Sequence, residues 1–492
     1  MFPDMNANEF NVIDELDRTL KTLGLSRDEA VSELVVNGQD PLVPSTLRLG
    51  SAMGIALLSA AVGAAQIWQE STGRPQRLGL DLDQALHQLT PYLGGGNTLN
   101  GYGSNMGSVL GLDGALAPAL WDLYRTADDR WAIPIACYPN TRDTFLDLLG
   151  TAHTREHIAA AIADRVSWEL EEEAAARGVP LAIVRSREEF LTHPQGKAVL
   201  AEPLVSVERV GDAPPRPLPA GAQPLSGLRS LQFTHVFAGT AAGRVLAEQG
   251  ADVLHVCEPN AFDHDLCWNE TGVGLRSARL ALKPEADSDG EGRRTFRELL
   301  RSADVFVHNH RPAKMARLGL TPEEVAEINP GVIHVSVRCY GHSGPWQERG
   351  GFDQHAQALT GVNWSEGRDG RPQLPPGRML NDYLAAYLAA AGVMSAVLRR
   401  AREGGSYQVR VSLAGVSNWA YELGTFTHEQ SERLLPPATL PPPRRLTRPT
   451  PLGDLSLVAP PVTLSETPAA WRGPLLVPRG SSQPRWHDDV AS

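Results

Sequence analysis

From Leu228 onward the chain alternates two kinds of hydrophobic pattern. "LRSLQFTHV" has the apolar run of a strand, "AGTAAGRVLAEQG" the spacing of a helix that closes at Gly250, and "ADVLHVCEP" a second strand ending at Glu258. Farther on, "TFRELLRSADVFVHNHRP" and "VAEINPGVIHVSVRCYG" repeat the helix-then-strand order. Units of this kind build a doubly wound parallel sheet, so the predicted class is α/β. Ligands of such sheets sit at the carboxyl ends of the strands, which gathers His235, Glu258, His308 to Arg311 and Arg338 to Gly341. A second, smaller α+β domain is predicted upstream. There "DRWAIPIACYPNTRDTFLDLLG" reads as strand and amphipathic helix, and "TREHIAAAIADRVSWELEEEAAARGVPLAIV" as two helices and a strand.

Two stretches break this rhythm. "MLNDYLAAYLAAAGVMSAVL" (Met379 to Leu398) and "LGSAMGIALLSAAVGAAQIW" (Leu49 to Trp68) are long uncharged helical runs, the first interrupted only by Asp382. The second is the length of a bilayer span. The Ala, Gly and Ser content of the second, with Gln66 inside it, points instead to a helix packed closely in a core. Both runs lead through a polar turn with Gly into a short alternating strand. Aligning Gly73 with Gly405 gives an offset of 405 − 73 = 332, so the chain reads as carrying one supersecondary unit twice. At that offset Asp382 falls on Gly50. An Asp before an apolar helix is ordinarily an N-cap, and Gly or Ser caps nearly as well. The first copy does without a carboxylate, which favours a chemical role for Asp382.

The remaining patterns divide the chain. Residues 1–46 read as an N-terminal extension, 47–92 as a helix-strand unit packed on the large domain, and 93–195 as the small domain. Residues 196–227 read as a Pro-rich linker, 228–420 as the large domain and 421–492 as a Pro-rich tail. The small domain opens on "GGGNTLNGYGSNMG", a loop with exposed backbone N–H groups but without the Lys and Ser or Thr of a phosphate loop. After the strand at Leu228, Phe237 to Gly243 keeps only the outer glycines of the dinucleotide fingerprint, which argues against a nicotinamide enzyme.

Composition narrows the partners. A chain of 492 residues with 45 Lys and Arg against 57 Asp and Glu carries a net charge of -12, which repels nucleic acid and acidic membranes. Any anionic ligand therefore needs a local cluster of bases. Four scattered cysteines without a C-x-x-C pair, and no leader-like N-terminus, predict a reduced, cytoplasmic protein with no metal site.

Five motifs in order, "GLRSLQFTHVFAGTAAGRVLAEQGADVLHVCEP", "RLALKPEA", "ADVFVHNHRPAKMARLGL", "INPGVIHVSVRCYGHSGPWQERGGFDQHAQALTG" and "NDYLAAYLAAAGVMSAVL", resemble the class III CoA-transferase family. That family includes formyl-CoA and carnitine CoA-transferases and α-methylacyl-CoA racemases. Residues 47 to about 225 resemble its other half, so the order is inverted, as if two copies were fused and each kept what the other lost. The resemblance implies a Rossmann-like CoA-binding domain over 228–420 and a catalytic carboxylate at Asp382. It implies CoA contacts at His235, Lys283 and Arg317, and a glycine loop at Gly94, Gly95 and Gly96 that closes over the nucleophile. Acyl-CoA and a carboxylic acid would be the substrates, with no permanently bound cofactor. The assembly would be a homodimer or a pseudo-symmetric monomer.

The racemases of the family place a His before the acidic residue of "GFD", where this chain has Phe352. Phenylalanine cannot shuttle a proton, so racemisation is disfavoured. The expected activity is CoA transfer through an aspartyl intermediate; the alternatives are a racemase-like enzyme and a non-catalytic acyl-CoA binding protein.

Overall fold

The computed structural model describes residues 10–89, 96–103, 118–218, 220–283, 289–435 and 440–487. A seven-stranded sheet runs in the order Arg276–Arg279, Asp252–Cys257, Arg229–Phe233, Val305–His308, Ile333–Arg338, Ser406–Ser412, Ser206–Gly211. Its first six strands are parallel and the last is antiparallel. Counted along the chain, the parallel strands lie as 3-2-1-4-5-6, the doubly wound order. Its switch point falls between Arg229–Phe233 and Val305–His308, the place where such sheets open a crevice. Every residue of Asp252–Cys257 and Val305–His308 is buried, as expected of strands covered on both faces.

The structure departs from the linker expectation at Ser206–Gly211, which is the antiparallel edge strand. Its sequence, Ser-Val-Glu-Arg-Val-Gly, is short and half polar, which suits an edge and hides it from a search for apolar runs. The Pro-rich tail is likewise folded. Arg445–Thr450 and Gly453–Val458 form a hairpin on Thr98–Leu99, and Thr463–Leu464 pairs with Gln76–Asp81.

The two long helices, Leu49–Thr72 and Asn381–Glu403, are long and apolar enough to cross a membrane by length and composition. Within the protein, however, 94% and 89% of their apolar windows are buried. They pack on each other closely: a Cβ added at Gly63 would come 2.9 Å from Cβ of Met394. Each ends in a Gly whose N–H caps the last turn, Gly73 to Gln69 O and Gly404 to Arg400 O. Each then enters a strand paired in parallel, Gln76–Asp81 on Val31–Asn37 and Ser406–Ser412 on Ile333–Arg338.

The smaller α+β domain has an antiparallel sheet of Tyr124–Arg125, Trp131–Pro134 and Leu181–Ile183, with a core of its own around Phe145, Ile158 and Leu170. It is tied to the large domain at Arg185, whose N–H donates to Ala358 O at 2.9 Å. The Arg185 guanidinium is buried against Glu171 at 2.6 Å, a paired charge that the interior can hold. This docking brings Cys137 and Tyr138, just before the Pro139–Leu149 helix, to the chamber that Asp382 borders.

Candidate active site

The first turn of a helix leaves backbone N–H groups without partners, and a carboxylate is a natural acceptor for them. At Asn381–Glu403 that acceptor is not Asp382. Oδ2 of Asp353, only 1% exposed, accepts from the N–H groups of Leu380 (3.0 Å), Asn381 (2.6 Å) and Asp382 (2.8 Å). The other oxygen, Oδ1, accepts from Gln357 Nε2 and from Asn381 Nδ2 at 3.3 Å. The expectation that Asp382 might simply cap its helix is therefore answered by a different carboxylate, 29 residues earlier in the chain. The helix Leu49–Thr72 is served the same way. Asp40 accepts from Gly50 N at 3.0 Å and Ser51 N at 2.7 Å. There the position aligned with Asp382 is crowded, since a Cβ at Gly50 would meet Leu42 Cδ1 at 2.7 Å and Asp40 Oδ1 at 3.0 Å.

Released from capping, the Asp382 side chain is 7% exposed, and among the described residues no donor reaches its carboxyl oxygens. It borders a small apolar chamber of about 40 Å³ walled by Cys137, Tyr138, Phe237, His264, Cys267, Phe352 and Met379 among others. Burial, and then repulsion from Asp353, hold the Asp382 carboxyl well above the ordinary carboxylate range. Asp353 is pushed up to about 6, burial outweighing the hydrogen bonds it accepts. Burial also raises the thiols of Cys137, to about 12, and Cys267, so both stay protonated and neither competes as a nucleophile.

Next to this chamber lies a cavity of about 900 Å³, with Phe352 lining both. It opens at the switch point of the sheet, from Phe233, Thr234 and His235 on one strand end to Asn309 and His310 on the next. Its walls include seven Lys and Arg side chains (Lys283, Arg311, Lys314, Arg317, Arg338, Arg349, Arg479) against two carboxylates, Glu258 and Asp263. In a chain of net charge -12 this is the local basic cluster that an anionic ligand needs. His235, Lys283 and Arg317 all line it. His235 is fixed by Asn309, whose Oδ1 accepts from the His235 backbone N–H at 3.1 Å and lies 3.0 Å from Nδ1. Its ring stacks on His310, with centroids 4.9 Å apart.

The wall between cavity and chamber is built with strain. Val236 has φ +60°, a left-handed conformation that a β-branched residue rarely adopts. The Asp263 carboxylate holds it there, accepting from Val236 N at 3.0 Å and from Tyr138 OH at 3.1 Å. Tyr138 in turn stacks on Phe352 with rings 5.9 Å apart and 6° from parallel.

Comparison with known proteins matches residues 225–437 to the model of CoA-transferase family III. This segment resembles that family. It is similar to a mouse succinyl-CoA:glutarate CoA-transferase, 33% identical over 189 residues, which are 37% of this chain and 43% of the relative. It is also similar to an acetyl-CoA:oxalate CoA-transferase of Acetobacter aceti, 32% identical over 202 residues, covering 39% and 51% of the two chains. The chain thus spans about half or less of these relatives' own length. Among solved structures, a CAIB/BAIF family protein from Brucella suis aligns at 26% identity and a TM-score of 0.36, covering 40% of this chain and 55% of the other.

The family III segment does not hold every residue expected of the site. Gly94 and Gly95 lie outside the described residues. Gly96 is described, and its carbonyl accepts from Arg445 Nη2 at 2.8 Å in the tail hairpin; it lines neither the chamber nor the cavity. Three groups escaped the sequence reading. Asp353 was visible only as the acid of "GFD". Lys314, over the Phe233 ring at 4.5 Å and lowered to about 8 by burial, sits inside the quoted "NHRPAKMARLGL" but drew no attention among several bases. Arg479 arrives from a tail with no apolar periodicity.

Proposed function

We propose that the protein transfers CoA between an acyl-CoA thioester and a carboxylic acid, with Asp382 as the covalent nucleophile. One observation carries this reading. Asp353 takes the capping bonds of the helix, so among the described residues nothing hydrogen-bonds the Asp382 carboxyl, and that carboxyl borders a chamber sharing a wall with a cation-lined cavity. A buried carboxylate with no structural duty costs stability and is a functional-site candidate.

The steps balance as follows. Asp382, having lost its proton to solvent, attacks the thioester carbonyl carbon; the C–S bond breaks and CoA leaves as thiolate, giving a mixed anhydride. The thiolate attacks the aspartyl carbonyl, freeing the donor's carboxylate and leaving an aspartyl-CoA thioester. An incoming carboxylate attacks that thioester, and the released thiolate then attacks the acceptor's acyl carbon. The product is the new acyl-CoA, and the Asp382 carboxylate is regenerated. His235, Lys283 and Arg317 line the cavity that would hold CoA, where cations favour its phosphates. Phe352 stands where the racemases of the family place a His and offers no proton-transfer group at that position, which favours transfer over racemisation.

The site is read as complete within one chain, because Cys137 and Tyr138 of the smaller domain and Asp382 of the larger one border the same chamber. The paired helices Leu49–Thr72 and Asn381–Glu403, each capped by a buried Asp, support the pseudo-symmetric reading of the repeat. The test is mass spectrometry of the protein incubated with a panel of acyl-CoA thioesters. The expected result is an adduct on the peptide holding Asp382, absent in Asp382→Asn. CoA binding with no adduct from any donor would make the chain a binding protein instead.

A further inference from the structure

The C-terminal segment, beyond the matched family region, lies along the open edge of the large sheet. Arg276–Arg279 is the edge strand, and an unpaired edge needs cover. Ser482 provides it, its N–H donating to Ser277 O at 2.6 Å and its Oγ accepting from Ser277 N at 3.2 Å. On either side the segment is pinned again. Leu475 O accepts from Gly274 N at 2.6 Å, Val477 O from Trp268 Nε1 at 2.7 Å, and Gly480 N donates to Ser277 Oγ at 2.9 Å. Trp486 is 1% exposed and donates its indole N–H to Ser302 Oγ at 2.8 Å. At Gly480 the backbone has φ +76°, and an added Cβ would stand 2.4 Å from Arg279 Nε, so the close approach requires glycine.

A segment fixed this firmly delivers one cation with a defined position. Arg479 lines the 900 Å³ cavity, and its Nη2 donates to Ala261 O at 3.0 Å, in the loop after Asp252–Cys257. That bond uses one of the five guanidinium N–H donors. Arg311, Lys314 and Arg317 reach the same cavity from the chain after Val305–His308, whereas Lys283 follows the edge strand that the tail covers. Arg479 therefore adds a fork of donors on the bank where Lys283 would otherwise be the nearest base along the chain.

We infer that the C-terminal segment is a built wall of the ligand cavity and that Arg479 binds the nucleotide phosphates of an acyl-CoA. This rests on the CoA-transfer reading, from which it can be separated by experiment. Calorimetry would compare CoA with a pantetheine thioester, which lacks the nucleotide, on wild type, Arg479→Gln and the Lys283→Ala, Arg317→Ala pair. Loss of a charge-assisted contact in Arg479→Gln is expected to weaken CoA about tenfold or more. Pantetheine thioester affinity should be unchanged, and the melting temperature should fall little, since all the anchoring bonds of the segment except the one to Ala261 O are made by the neighbours of Arg479. Wild-type CoA affinity in Arg479→Gln, alongside weakened binding in the Lys283/Arg317 pair, would overturn this inference and leave the CoA reading standing. Equal weakening toward both ligands would also overturn it, by removing the link to the nucleotide. A wild-type protein that binds no CoA would overturn both.

Discussion

Replacing Asp353 by Asn tests the division of labour at the helix end, and its outcome depends on pH in a way the geometry dictates. Asparagine keeps one oxygen for the three backbone N–H groups that Oδ2 now serves, but its NH₂ would face Gln357 Nε2 and Asn381 Nδ2, both donors. Each keeps a second acceptor, Arg378 O for Gln357 and the Asp353 carbonyl for Asn381, so the loss is one hydrogen bond apiece, about 1 kcal/mol each and roughly 2 kcal/mol together. Against this stands the cost of ionising Asp353 in the interior. Burial raises it from the ordinary 3.8 to about 6, so its contribution to stability is full below pH 3.8 and declines as pH rises through 6. Roughly two pH units at about 1.4 kcal/mol each make that decline about 3 kcal/mol. Asparagine does not titrate. Urea denaturation of the two proteins should therefore show Asp353→Asn furthest behind wild type in acid, with the gap shifting in the variant's favour by about 2 kcal/mol between pH 4.5 and pH 8. Asp382 acts in the same direction, because the substitution removes the Asp353 charge that helps raise its pKa. A gap independent of pH, or one that widens as pH rises, would refute the assignment of Asp353 as a buried cap with a raised pKa.

Other substitutions read other parts of the site. Asp382→Asn should cut transfer by several orders of magnitude in a coupled CoA-transfer assay. Because Asp382 caps nothing and its pKa is raised, the same variant should melt no lower than wild type, and relatively higher as pH rises. Lys283→Ala with Arg317→Ala should weaken CoA by about 3 kcal/mol or more in calorimetry, as the loss of two charge-assisted contacts. Gly50→Ala should destabilise by about 1–3 kcal/mol in denaturant, since the new methyl meets Leu42 at 2.7 Å, without changing the chemistry at Asp382. Deuterium should not wash into the α-carbon of a 2-methylacyl-CoA, followed by NMR, because Phe352 supplies no base.

The large sheet was legible because its strands are buried on both faces, and such strands announce themselves as apolar runs between helical patterns. Asp382 was legible through its contrast with Gly50. The antiparallel strand Ser206–Gly211 and the C-terminal hairpin were not, because edge and surface strands draw their stability from partners far along the chain rather than from their own pattern. Asp353 shows the limit most clearly. A capping carboxylate 29 residues from its helix obeys no local spacing rule, and only the tertiary structure brings it to the N–H groups it serves.

The two helix ends, set side by side, differ in what each leaves open. Both present free N–H groups in a buried place, and both receive a distant Asp. At Leu49–Thr72 the next side chain position is crowded by Leu42 and by Asp40 itself, so a side chain there makes Leu42 shift, and Gly lets the end pack closely. At Asn381–Glu403 the equivalent direction is left open toward a chamber bordered by the smaller domain, and a second carboxylate is placed there although burial and the first carboxylate both oppose its charge. Packing alone would remove such a group, because Asn or Gly would satisfy the helix at lower cost. A resting carboxyl kept neutral beside a cationic cavity ionises most readily when water or ligand enters. If that coupling operates, the rate of transfer should rise with pH, and the rising limb should move to lower pH in Asp353→Asn, where the repelling charge is gone. A limb that stays in place would mean that Asp353 does not set the ionisation of Asp382 during turnover.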